Sequence, residues 1–125
     1  MYVLAAQYAR TEGWDECILT NHSGHVCEGL SSNVFIVKDY KLITPSLDSG
    51  CINGVMRNYI IWLTANNVIE REIEAEELYD AEEILLTNAV KGIQWVRELN
   101  GRIYNNKKAV QLTELLNSKL LGLAQ

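Results

Sequence analysis

The sequence predicts a single mixed domain of interleaved helices and strands. Three observations predict it. The chain has 125 residues, enough for one domain or one piece of a larger one. Two long stretches, Gly54 to about Asn67 and Asn106 to Leu123, place apolar residues at helical spacing. Between and before them lie short apolar runs of strand length, punctuated by turn residues. The resulting order of helix, several strands, helix, strands and helix fits an α/β or α+β domain. No internal repeat, low-complexity segment or linker interrupts it.

Met1 to roughly Thr11 reads as a helix, with Val3, Leu4, Ala6, Tyr8 and Ala9 apolar or small. No capping residue precedes it, so the chain is expected to be cut from something longer. Gly13 is the expected stop. Cys17 to Thr20 reads as a strand, Asn21 to Gly24 as a turn and the segment through Val26 as a short returning strand. Asn33 to Lys38 is a buried strand that Asp39-Tyr40 turns into Lys41 to Thr44. Pro45 ends that strand, and Ser46 to Cys51 is a loop. Asn53 is the expected N-cap of the first long helix. Val68 to Ile73 alternates like an edge strand, and Ala75 to Asp80 is a short helical turn. Glu83 to Thr87 and Gly92 to Leu99 are strands, and Asn100-Gly101 signals a hairpin.

Composition excludes several classes. A net charge of -5 without a basic stripe argues against a nucleic-acid surface. No apolar run approaches the roughly 20 residues that cross a bilayer, and no signal-peptide pattern opens the chain. Cys17, Cys27 and Cys51 are odd in number and lack CxxC spacing, which fits a reduced, cytoplasmic protein. His22 and His25 flank a turn with no further ligand at metal spacing, so no metal site is assigned. The acidic residues Glu70, Glu72, Glu74, Glu76, Glu77, Asp80, Glu82 and Glu83 read as a solvated edge strand and helix face. Trp14, Trp62 and Trp95 read as core or domain-interface residues.

Three segments carry chemistry. In Cys27-Glu28-Gly29-Leu30-Ser31-Ser32-Asn33 a carboxylate sits beside a polar cluster just before a strand. Glu28 is either a surface hairpin residue or a counter-charge for a protonated ring nitrogen. In Gly50-Cys51-Ile52-Asn53-Gly54-Val55-Met56-Arg57, glycine stands at the mouth of a helix whose free N–H groups and dipole favour anions. The segment lacks the P-loop Lys-Ser/Thr and the three-glycine dinucleotide pattern. Thr87-Asn88-Ala89-Val90-Lys91-Gly92-Ile93 follows at the end of a strand.

With all three in this order, the chain resembles the class IV aminotransferases, the fold-type IV pyridoxal-phosphate enzymes. The resemblance runs over nearly the whole chain. It implies the larger C-terminal domain of a two-domain enzyme, spanning residues 1–125. That domain has a mixed, largely antiparallel sheet or pseudo-barrel with flanking helices. It further implies that Glu28 pairs with the pyridine nitrogen of pyridoxal 5'-phosphate, while Ser32 and Asn33 support the ring side. Ile52 would pack near the ring. Backbone N–H groups of Val55 and Met56 would hold the phosphate, with Gly54 giving access. Asn88 and Ala89 would close the phosphate side, and Val90 would border the substrate. The helix start Asn53 to Arg57 and the loop Thr87-Asn88-Ala89 look more like aminodeoxychorismate lyases than branched-chain aminotransferases. Those usually carry Pro-Gly-Ile-Thr-Arg and Gly-Thr-Ala types. A lyase would eliminate pyruvate from an amino-chorismate in folate precursor synthesis. A branched-chain or D-amino acid transaminase, or a non-catalytic dimerisation remnant, are the alternatives. A homodimer is implied.

The family's Schiff-base lysine would lie upstream of Met1, so no catalytic residue is assigned and the chain alone is expected to be inactive. Lys91 is the tempting substitute but reads as a solvated loop lysine.

Overall fold

The computed structural model describes residues 2–11 and 14–124. In chain order these form β1 (Tyr2–Thr11), β2 (Trp14–Asn21), β3 (Val26–Gly29), β4 (Asn33–Lys38) and β5 (Lys41–Pro45). Helix α1 (Val55–Leu63), β6 (Val68–Arg71), the short α2 (Glu77–Asp80) and β7 (Glu83–Asn88) follow. The chain continues with β8 (Gly92–Leu99), β9 (Arg102–Ile103) and α3 (Lys107–Ala124). The strands make one sheet in the order β3-β2-β1-β8-β7-β4-β5-β6, with β9 against β8. Every pairing is antiparallel except β5 with β6, which α1 connects. Register shifts in the β1–β2, β1–β8 and β2–β3 ladders mark bulges or irregularities. Bulges bend and twist strands, and the sheet curls into a half-barrel.

The first segment corrects the helix expected there. It is β1, paired with β2 from Tyr2 to Thr11 and with β8 near its end. Ala9 and Thr11 are buried and Arg10 is exposed, a period of two. Small alanines left local propensity undecided, and pairing with two neighbouring strands settled it. The stop expected at Gly13 lies outside the described residues.

The continuous apolar runs of β4 and β7 follow from burial on both faces. Val34, Ile36, Ile84 and Leu86 face a core that includes Ala9, Ile73, Val96 and Leu78 of α2. Phe35, Val37 and Leu85 face the opposite core, closed by Ile60 of α1 and Ala109 and Leu112 of α3. Burial of Ile60 alone contributes about 2 kcal/mol, and it fixes α1 on the sheet.

Turn chemistry sets the strand registers. Asp39 and Tyr40 both adopt positive φ, as do Asn100 and Gly101, which matches the twist of tight hairpins. Helix α1 ends earlier than its pattern suggests because Ala65 and Asn66 turn left-handed. Two further expectations fail. Asn53 is not the N-cap; Gly54 is, and no side chain caps the helix. The acidic stretch is not uniformly solvated. Glu83 is 4% exposed, and its carboxylate accepts N–H bonds from Lys108 and Ala109 at the start of α3. Glu77 accepts from Arg71 and Lys38. Tertiary packing brings Glu83 to the start of α3 and Glu77 to Lys38, partners distant in sequence that a count of acidic residues does not reveal. Trp95 packs against the second core, whereas Trp62 is exposed on α1 and stacks on Tyr59.

Candidate active site

Three loops meet at one end of the sheet: the β3–β4 loop, the segment before α1 and the β7–β8 loop. They enclose a cleft of about 280 Å³. Its position follows from register. Asn33, the first residue of β4, pairs with Thr87 near the end of β7, so both side chains stand on the α1 side of the sheet.

The Ile52 peptide is the hub. Its N–H donates to Glu28 Oε1 at 2.7 Å, and its carbonyl accepts from Asn33 Nδ2 at 2.7 Å and from the Gly54 N–H at 3.0 Å. Glu28 is 6% exposed and lines the cleft. Among the described residues, nothing donates to its second oxygen, Oε2. A nearly buried carboxylate with one oxygen held and the other without a donor among the described residues has capacity to accept a further N–H bond.

At the mouth of α1, the Val55, Met56 and Arg57 N–H groups have no backbone acceptor among the described residues; the first helical bond runs from Asn58 to Gly54. Such N–H groups, with the helix dipole, attract an anion. Gly54 has φ -70°, open to any residue, but a Cβ there would collide with Asn33 Oδ1. Glycine is therefore required by close approach to Asn33. At Gly29 a Cβ would displace the Ser32 hydroxyl and crowd the Glu16 carboxyl. Arg57, 1% exposed, braces the helix mouth by donating to Glu70 at 2.7 Å and to the Pro45 carbonyl at 3.2 Å.

The third loop is tied to the first. Asn88 Nδ2 donates to the Ser31 carbonyl, and Asn88 Oδ1 accepts from the Val90 and Lys91 N–H groups. Glu16, 3% exposed on β2, supports the first loop from below. Its carboxylate accepts from the Leu30 N–H at 3.0 Å and from the Ser31 and Ser32 hydroxyls at longer range.

The structure brings together Glu28, Ser32, Asn33, Ile52, Gly54, Val55, Asn88 and Ala89 around the cleft. Met56 turns its side chain toward the second core, leaving its N–H at the mouth of α1. Val90 stands 93% exposed beyond the lining. Leu30, Ser31 and Thr87 also line the cleft. The supporting role of Glu16 has no signal in the sequence, since only the β2–β3 register carries it beneath the loop. Cys27 and Cys51, beside Glu28 and Ile52, are not poised nucleophiles. Burial pushes the Cys27 thiol up to about 11, and burial raises Cys51 as well. No lysine is among the residues lining the cleft.

A nearly buried carboxylate and a helix mouth thus line one cleft on a curled mixed sheet. The chain belongs to the amino-transferase class IV family, whose sequence profile matches residues 1–99. The family depends on pyridoxal phosphate. The chain is 41% identical over 104 residues to a probable branched-chain-amino-acid aminotransferase of Thermotoga maritima, covering 81% of this chain and 38% of that protein. The branched-chain aminotransferase of Thermoproteus uzoniensis, solved with norvaline, superposes with a TM-score of 0.82 at 31% identity. That match covers 89% of this chain and 39% of the other. The 4-amino-4-deoxychorismate lyase of Pseudomonas aeruginosa superposes with a TM-score of 0.76 at 28% identity, covering 84% and 40%. The chain thus spans about two fifths of the length of the curated relatives it matches.

Proposed function

We propose that residues 1–125 are the cofactor-holding, C-terminal domain of a pyridoxal-phosphate enzyme that transfers the amino group of an amino acid. The observation that carries this reading is Glu28, nearly buried in the wall of the cleft, with Oε1 fixed by the Ile52 N–H and no donor to Oε2 among the described residues. Glu28 holds the proton on the ring nitrogen. The N–H groups of Val55 and Met56 receive the phosphate, and Gly54 and Asn33 keep that approach narrow. Asn88 and Ala89 bound the same cleft from the third loop. Ile52 supplies apolar surface against the ring, and Ser32 holds its loop through Glu16. Val90, on the exposed rim, borders the substrate. When bound, the cofactor supplies an electron sink for the carbon that loses its proton.

The transaminase reading is supported by the names of the similar curated proteins, at 37% and 41% identity. A second reading, elimination of pyruvate from an amino-chorismate, is supported by the likeness to a solved 4-amino-4-deoxychorismate lyase at 28% identity. The lyase-like Thr-Asn-Ala loop is braced by Asn88, whose amide ties the Ser31 carbonyl to the Val90 and Lys91 N–H groups. The Schiff-base lysine and the second wall of the site come from a preceding domain, and the enzyme works as a homodimer. The length of the relatives, of which this chain spans 38%, supports the further domain.

Calorimetric titration of the chain with pyridoxine 5'-phosphate tests the cofactor site; this analogue lacks the aldehyde that would label surface lysines. Glu28→Gln should weaken binding about tenfold or more, because a charge-assisted bond becomes a neutral one. Equal affinity in the variant would refute the role of Glu28. On the full-length gene product, amino transfer from leucine to 2-oxoglutarate separates the transaminase from the lyase, which would release pyruvate.

A further inference from the structure

We infer that Glu16 is a positioning residue for the cleft: from beneath, it sets the β3–β4 loop and, through that loop, the β7–β8 loop. This rests on the cofactor reading of the cleft. Glu16 is nearly buried. Its Oε1 accepts from the Leu30 N–H at 3.0 Å and from the Cys17 N–H at 3.1 Å. The Cys17 carbonyl shares the Leu30 N–H at 3.2 Å. Its Oε2 faces the Ser31 and Ser32 hydroxyls at 3.5 and 3.4 Å, and its carboxyl lies against Gly29. Among the described residues, all of its partners are neutral. A carboxylate buried on neutral donors alone costs free energy that an apolar side chain of similar size does not. What the charge obtains in return is the placement of four successive residues, Gly29 to Ser32.

That segment joins the other two loops. It runs between Glu28 and Asn33, whose side chains hold the N–H and the carbonyl of Ile52 ahead of α1. Its Ser31 carbonyl accepts from Asn88 Nδ2 at 3.2 Å. Asn88 Oδ1 in turn holds the Val90 and Lys91 N–H groups of the β7–β8 loop. These ties all pass through the segment that Glu16 supports. Withdrawing one carboxylate should therefore shift Glu28, Asn33 and Asn88 together.

The test separates reach from charge. Glu16→Asp keeps the charge but draws the carboxylate back from the loop. Glu16→Gln keeps the reach and an acceptor for the Leu30 N–H. Nuclear magnetic resonance of the chain reads the loops. Glu16→Asp should move the Asn88 side-chain amide signals and the Val90 and Lys91 amide signals, whereas Glu16→Gln should leave them near their wild-type positions. Calorimetry with pyridoxine 5'-phosphate reads the cleft. Glu16→Asp should bind about tenfold more weakly and Glu16→Gln within about twofold of wild type. Signal changes confined to Cys17 and the β3–β4 loop overturn the inference. So does wild-type affinity in Glu16→Asp, which with a lowered urea midpoint marks a structural role. The reverse order of the two variants also overturns it, by assigning the effect to the charge itself. A wild-type chain that does not bind pyridoxine 5'-phosphate refutes the cofactor reading, and the inference falls with it.

Discussion

Replacing Gly54 with alanine tests the packing that shapes the cleft. The backbone there, φ -70° and ψ 149°, accepts any residue, so no conformational strain arises. On unfolded-state entropy alone, Gly54→Ala should stabilise by about 0.4–1 kcal/mol. The new Cβ, however, collides with Asn33 Oδ1. Asn33 is 7% exposed and donates to the Ile52 carbonyl at 2.7 Å. Moving its amide aside breaks that bond and strands polar atoms, a cost of about 1–3 kcal/mol. The cost should win, leaving Gly54→Ala less stable by about 1–2 kcal/mol. In an Asn33→Ala background the obstacle is gone, and the same substitution should become neutral or stabilising. Urea unfolding of the four proteins in this cycle measures the coupling. Additive effects, or a stabilising Gly54→Ala in the wild-type background, would refute the reasoning.

Two further predictions concern Glu83 and Glu77, two partnered carboxylates of the acidic stretch. Glu83→Ala removes the acceptor of the Lys108 and Ala109 N–H groups and should cost about 2 kcal/mol, or roughly 8 °C in Tm. Exposed Glu76→Ala is the control, and equal shifts by circular dichroism would sink the capping role. The hydrogen bonds from Arg71 hold Glu77 down from 4.5 to about 2, with Lys38 and the Glu74 N–H adding to them. A depressed carboxylate contributes its full stability above its unfolded value and loses it as pH falls through its folded one. Stability should therefore fall between about pH 4.5 and 2, and Glu77→Gln should flatten that slope in urea midpoints. An unchanged slope would assign the acid sensitivity elsewhere.

Part of this molecule is readable in its residues. The buried strands announce themselves because two-sided burial demands unbroken apolar runs such as Val34 to Val37. Asp39-Tyr40 and Asn100-Gly101 mark hairpins because few residues accept positive φ. The segments around Glu28 and Gly54 stood out because a carboxylate beside apolar strands and a glycine at a helix mouth each suggest a partner, and both line the cleft. Other features depend on neighbours distant in sequence. The first segment carries alanines that suit either structure, and only β2 and β8 make it a strand. The same holds for Glu16 beneath the loop, Glu83 over α3 and Thr87 beside Asn33. Local sequence determined which residue types were present and where the chain could turn. Tertiary pairing decided which of them face each other, because a strand's side chains change faces with every residue and only the register of its neighbours says which face is the cleft.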